Sequence, residues 1–273
     1  MDRGDAKYLV IPDVHGRDFW MKPVEEALQN PEMKIVFLGD YLDPYPYEWE
    51  DENTTRMEAA VKCRTVALDR FKRILDLTMQ SPDRITLLLG NHDCGYAIGS
   101  DICDCRTDYD HREEIEYLFK DNRFLFKLAD SCDIAGKHFL FSHAGILKGW
   151  MNQIVTEEQQ SRPIFRPDVY LNNAWWTEEY KILDLLGDYD GWRSNGFGFK
   201  YGSPVWSDVR SWVKVKEEDT YGFNIVGHTQ TNGDPVVLDW IADLDCHRCF
   251  YLDDQGRIRD WDNGKVWEKT RVE

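Results

Sequence analysis

Three short apolar runs constrain this chain more than any other feature. Residues 7–12 (KYLVIP), 34–38 (KIVFL) and 84–89 (RITLLL) are aliphatic, rich in β-branched side chains and too short for stable helices. Such runs read as buried strands. Between the first two, Phe19, Met21, Val24, Ala27 and Leu28 recur at helical spacing until Asn30-Pro31 stops them. Between the second and third, Met57, Val61, Val66, Leu68, Phe71, Ile74 and Leu75 mark a long helix, with Asn53 or Thr54 as the expected N-cap. Alternating strand and helix predict an α/β fold. Residues 139–143, 224–228 and 240–244 read as further strands, and a hairpin turning at Asp253-Asp254-Gln255-Gly256 closes the fold.

The region 148–203 carries Trp150, Trp175, Trp176, Trp192 and the run Ser194-Asn195-Gly196-Phe197-Gly198. It reads as partly helical material over one edge of the sheet. No repeat or linker divides the 273 residues, so one domain over 1–273, elaborated around 148–203, is the expected organisation.

Each strand run ends in polar residues of one chemical kind. Asp13 and His15 follow the first, Asp40 and Asp43 the second, Asn91 and His92 the third; His143 and His228 end two more. Ligands of open α/β sheets sit outside the carboxyl ends of strands. Aspartate, histidine and asparagine offer the oxygen and nitrogen donors that suit manganese, iron or zinc. Any one of these motifs is equally compatible with a hydrogen-bonded core histidine. Five at the same structural position are not.

Charge narrows the partners. Fifty acidic and 33 basic residues leave a formal net charge of −17, which repels a nucleic-acid polymer. A phosphorylated small molecule, a nucleotide or a phosphoprotein remains possible, because two divalent cations would outweigh the local carboxylates. No apolar run approaches the roughly 20 residues that span a bilayer. The seven cysteines, with no leader-like segment, suit the reducing cytoplasm.

The ordered series Asp13-Val14-His15-Gly16, Gly39-Asp40-Tyr41-Leu42-Asp43, Gly90-Asn91-His92-Asp93, His143-Ala144-Gly145 and Gly227-His228-Thr229 resembles the calcineurin-like metallophosphoesterase superfamily. The second motif and Trp206-Ser207-Asp208 are similar to its phosphoprotein phosphatase branch. Ser142-His143-Ala144-Gly145 and Gly227-His228-Thr229 resemble bacterial and diadenosine-tetraphosphatase-like members. The resemblance implies a four-layer α/β/β/α sandwich and a two-metal site. By it, Asp13 and His15 hold the first metal, Asp40 bridges, and Asn91, His143 and His228 hold the second. It further implies hydrolysis of a phosphomonoester, a phosphoprotein among the candidates, by hydroxide generated between the cations. The alternatives are a dinucleoside polyphosphate or nucleotide pyrophosphohydrolase, and a non-catalytic metal-dependent scaffold.

His92 adjoins Asn91 but need not share its direction. It can therefore serve as general acid to the leaving oxygen, oriented by Asp43 at the matching family position. Three departures qualify the resemblance. Gln230 stands where many relatives carry a second histidine. Pro44 stands where serine/threonine phosphatases carry a phosphate-gripping arginine, so that grip falls to Arg17, or to Arg106 or Arg210. Gly-Asn-His-Asp replaces Gly-Asn-His-Glu. The loop 44–52, with Tyr45, Tyr47 and Trp49, reads either as a wall beside the cleft or as simple packing. Cys103, Cys105, Cys246 and Cys249 could form a structural zinc site only if the fold unites them; free thiols are the plainer expectation.

Overall fold

The computed structural model describes residues 3–98, 106–188, 202–231 and 233–270. Among the described residues, twelve strands, numbered along the chain, form two sheets. In the first, β1 (Ala6–Ile11), β2 (Lys34–Phe37), β3 (Ile85–Leu88) and β4 (Phe126–Lys127) run parallel. β10 (Phe250–Asp253), β11 (Ile258–Asp260) and β12 (Val266–Trp267) extend it antiparallel beyond β1. The second sheet has the order β5 (Ala129–Ile134), β6 (Lys137–Ser142), β7 (Phe223–Val226), β9 (Ile241–Asp243), β8 (Val236–Val237).

The central strands are apolar over most of their length because both of their faces are covered. Leu9, Ile11, Ile35, Phe37 and Leu87 pack outward with Trp20, Val24, Ala27, Phe71 and Ile74, from α1 (Met21–Leu28), the residue preceding it, and α2 (Arg56–Gln80). Their alternates Val10, Val36, Leu38 and Leu88 pack inward against Phe139, Phe141, Ile225 and Ala242 of the second sheet. That sheet's far face buries Val226 and Ile241 with Leu147, Val209, Trp212 and Leu238. Helices, sheet, sheet and an outer layer follow in order, as expected. The outer layer over β7 and β9 is a 3-10 turn, Val209–Lys214, rather than a long helix.

α3 (Asn91–Ala97), directly after β3, escapes the apolar pattern because a polar contact, Asp93 with the Gly90 N–H, starts it. α4 (Arg112–Asp121), by contrast, packs Ile115 and Phe119 into the core. Among residues 148–187 lie α5 (Lys148–Met151), α6 (Glu157–Gln160), α7 (Pro167–Trp176) and α8 (Tyr180–Leu183). α7 covers the edge where the chain passes from β4 to β5. There Asn172 accepts the Leu128 and Ala129 N–H groups at 2.9 and 3.2 Å and donates to the Ala129 carbonyl at 2.8 Å. Trp192 and residues 194–198 lie outside the described residues.

The long helix starts later than expected. Asp51 draws the Asn53 N–H and the Thr54 hydroxyl into a tight turn at 2.8 Å each. Thr55 is left to cap α2 in a reciprocal capping box with Glu58. Arg84 ties the helical layer to the sheet: it donates to the carbonyls of Ala27, Leu28, Asn30 and Met33, closing the end of α1. No helix among the described residues is long and apolar enough to cross a membrane.

Candidate metal centre

The carboxyl ends of β1, β2, β3, β6 and β7 meet in one buried cleft. The chain leaves them abruptly: His15, Asp40, Asp43 and His228 all have left-handed backbone, with φ of 43°, 51°, 56° and 73°. Such conformations cost on the order of 1–3 kcal/mol each and persist only where surroundings enforce them. Here two close approaches do so. A Cβ on Gly90 would lie 2.0 Å from Asp40 Oδ1, and one on Gly227 would lie 2.1 Å from Asp13 Oδ1. Both glycines are required because carboxylates are pressed against their backbone.

Asp93 braces this arrangement. Its carboxylate accepts the N–H groups of Asp40 (2.6 Å), Gly90 (2.9 Å) and Tyr41 (3.1 Å), joining the end of β2 to the start of α3. Burial and the neighbouring Asp40 push its pKa up, while the three backbone donors pull the other way.

Asp40 sits at the centre. Its Oδ1 accepts the His92 N–H at 3.0 Å; its Oδ2 lies 3.5 Å from both His15 Nε2 and His143 Nε2. Each ring spends its Nδ1–H on a main-chain carbonyl, His15 on Leu42 and His143 on Leu38, both at 2.8 Å. Nε2 is thereby turned to the cleft, with its lone pair aimed at acceptors. His143 Nε2 lies 3.0 Å from Asn91 Oδ1 and 3.0 Å from His228 Nδ1. His15 Nε2 lies 4.0 Å from Asp13 Oδ2. The His228 N–H donates to Asp13 Oδ1 at 2.9 Å, across 215 residues of chain.

These donors fit divalent cations. Buried acceptors facing acceptors are unfavourable unless a proton or a cation lies between them. Burial drives His15 well below its usual pKa, against the pull of Asp40, which disfavours the proton. Burial pushes Asp13 up to about 6, opposed by His143, while His143, His92 and His15 outweigh burial to hold Asp40 below the usual carboxylate range. Two groups of ligand atoms, from His15, Asp40 and His92 and from Asp40, His143 and His228, each fall within 4.8 Å of one another. Asp40 belongs to both.

His92 differs from the others. Its Nδ1 is 2.7 Å from Asp43 Oδ2, and its Nε2 lies 3.2 Å from Arg106 Nη2. A guanidinium at that nitrogen opposes a cation there. Asp43 also accepts the Tyr96 hydroxyl, which in turn accepts the Asp108 N–H at 2.7 Å. Tyr96 was not singled out from the sequence. Its signal is the spacing of four from His92, which places both on one side of α3. Asp243, the last residue of β9, and Asp245, just past it, are buried and were missed as well. They read as the tail of an apolar strand.

The other expected residues scatter. Arg17 is forked onto Glu48 at 3.0 and 2.7 Å, and Arg210 folds onto Asp208 at 2.8 and 2.6 Å. Gln230 bonds His247 Nε2 at 2.9 Å. Tyr45 stands edge-on to His15, with ring centroids 5.2 Å apart, so the loop 44–52 walls the cleft. Tyr47, by contrast, is 61% exposed. Cys249 packs in the outer core and Cys246 against the core between the sheets, so they face opposite sides and offer no joint pair. Both are free thiols; Cys103 and Cys105 lie outside the described residues.

Buried histidines and carboxylates at the carboxyl edges of two stacked sheets form a donor set that could hold divalent cations. The family model described as Calcineurin-like phosphoesterase matches residues 6–249, and the chain belongs to that family: it is a metal-dependent phosphoesterase, a hydrolase. It is similar to the serine/threonine-protein phosphatase 6 catalytic subunit of Drosophila melanogaster, 23% identical over 255 residues, covering 88% of this chain and 71% of that protein. Among solved structures it is similar to a protein serine/threonine phosphatase of Saccharomyces cerevisiae with similarity to human phosphatase PP5. That match has a TM-score of 0.47 and 11% identity, and covers 98% of this chain and 82% of the other. A candidate diadenosine tetraphosphatase matches with a TM-score of 0.32 and 10% identity, covering 98% and 94%. Both scores lie below 0.5, and membership in the family rests on the match over residues 6–249.

Proposed function

We propose that the chain hydrolyses phosphomonoesters, phosphoproteins among them, at a two-cation centre. Asp13 and His15 hold one cation, Asn91, His143 and His228 the other, and Asp40 lies between. The carrying observation is that one carboxylate, Asp40, faces imidazole nitrogens of both sets at 3.5 Å. When bound, two such cations supply a nucleophile near neutral pH and screen the charge of the phosphoryl oxygens. Manganese, iron and zinc all suit the nitrogen and oxygen donors.

His92 acts as general acid. Asp43 accepts its Nδ1–H, so Nε2 is the atom aimed at the cleft and the point from which a proton reaches the leaving oxygen. Tyr96, bonded to the second carboxylate oxygen, keeps Asp43 from turning away. Asp93 fixes the start of α3, so Asn91 and His92 diverge: one faces His143, the other Asp43.

Two observations favour a phosphomonoester over a dinucleoside polyphosphate. The similar Drosophila protein is named as a serine/threonine phosphatase. The aromatic ring nearest the ligands, Tyr45, has one face taken by Arg106 at 3.8 Å and so offers no open platform there for a base. Manganese-loaded protein should hydrolyse p-nitrophenyl phosphate and a phosphopeptide faster than the bis-ester or diadenosine tetraphosphate. Faster turnover of the dinucleotide would reverse this reading, and no turnover of any would favour a scaffold.

A further inference from the structure

We infer that Arg106 is the residue that grips the phosphoryl group, and that Tyr45 holds it in position; the inference rests on the phosphoesterase reading above. The sequence lacks an arginine directly after Asp43, where Pro44 stands. Arg106 is brought to that place from 63 residues away. Its Nε donates to the Asp43 carbonyl at 3.1 Å, and its Nη2 lies 3.2 Å from His92 Nε2, the nitrogen facing the leaving oxygen.

Its conformation is enforced. The backbone is left-handed at φ 61°, and the guanidinium lies flat over Tyr45, 3.8 Å from the ring centroid. A cation stacked on an aromatic face is oriented without being neutralised. That distinction separates Arg106 from its rivals. Arg17 is paired bidentately with Glu48 and Arg210 with Asp208. Arg106 has no carboxylate partner among the described residues, in a chain of net charge −17. With His92 unprotonated at Nε2, its bonds to Asp43 and His92 engage Nε and one N–H of Nη2. Protonation of His92 for its role as acid frees that N–H, and in both states the remaining guanidinium edge is left for an oxyanion.

Tyr45 is thus a positioning residue. It touches His15 edge-on and Arg106 face-on, linking the cation cleft to the arginine. The loop 44–52 has Pro44, not an arginine, next to Asp43. It presents an aromatic seat for one supplied from elsewhere.

The test compares wild type with Arg106→Ala, Arg106→Lys, Tyr45→Ala, Tyr45→Phe and Arg17→Ala, all metal-loaded and checked for metal content and Tm. Inorganic phosphate binding is measured by calorimetry, and p-nitrophenyl phosphate turnover by initial rates. Losing charged hydrogen bonds to phosphate should weaken phosphate binding and raise KM by roughly 10–100-fold in Arg106→Ala. Metal content should stay normal. Arg106→Lys should recover only part of the loss, because an ammonium cannot fork. Tyr45→Ala should move KM in the same direction by less, and Tyr45→Phe should restore it. Equal phosphate affinity in wild type and Arg106→Ala overturns the inference, as does a loss carried by Arg17→Ala instead. Wild type that binds phosphate through Arg106 but hydrolyses no ester would sink the parent reading alone.

Discussion

The two halves of the cleft share Asp40 and differ in how far the protein alone has assembled them. Around His143, donors from separate elements already converge: Asn91 Oδ1 and His228 Nδ1 each lie 3.0 Å from Nε2. His15 lies at nearly the same distances from the two aspartates as His143 does, 3.5 Å from Asp40 and 4.0 Å from Asp13 against 3.5 and 3.9 Å. What sets the His143 half apart is its two further donors at 3.0 Å. Gln230 stands where a second histidine would complete that half, and it bonds His247 instead. The difference teaches that donor convergence is unequally distributed. The His143 half is fixed by helix α3 and by the carbonyl of Leu38. The His15 ring is held in the same way by the carbonyl of Leu42, so the halves differ in how many side chains converge on each ring.

The largest effect should come from the shared residue. Asp40→Asn should abolish activity and deplete metal from both halves, read by elemental analysis. Retention of normal metal content would break the assignment of Asp40 to both. Next, His92→Asn should lower turnover by roughly 10²–10⁴-fold with metal content near normal. Full turnover removes His92 from the mechanism, and metal loss would make it a ligand. A smaller contrast sharpens the comparison itself. During chelator titration one cation should leave before the other, and His15→Ala should retain only the tighter one. If His15→Ala loses both cations and His143→Ala keeps one, the order of the halves is inverted.

The smallest effect concerns stability. Asp243 is fully buried, its Oδ2 has no hydrogen-bond partner among the described residues, and burial together with Asp245 pushes its pKa well up. A raised folded pKa favours the folded state most below the unfolded pKa, and that contribution is lost as pH rises through the folded value. Asp243→Asn keeps an acceptor for the Asp245 N–H and removes the ionisation. In chelated protein its Tm should exceed that of wild type at pH 8 and match it near pH 4. An equal difference at both pH values would show that charge is not the cause.

Much of the fold was legible because the central strands are covered on both faces, so their residues read as largely apolar runs. β4 and β12, two residues each, are too short to carry a period. α3 escaped because a polar cap, Asp93 on Gly90, starts it rather than an apolar stripe. The contact that requires Gly90 is with the Asp40 carboxylate, 50 positions away along the chain, and no local pattern announces it. Arg106 could be named from the sequence but not placed, since its contacts with Asp43 and Tyr45 cross some sixty residues.

By itself the sequence determined the chemical inventory: which strands end in donors, and that these donors suit cations, because strand burial and residue type are local properties. Only the tertiary structure decided which atom faces which. It set Asp40 between two imidazoles, turned His92 from the ligands toward Asp43, and separated Arg106, stacked on Tyr45, from arginines already spent on carboxylates. Those choices depend on left-handed turns and on contacts as distant as His228 with Asp13, and no periodicity along the chain encodes them.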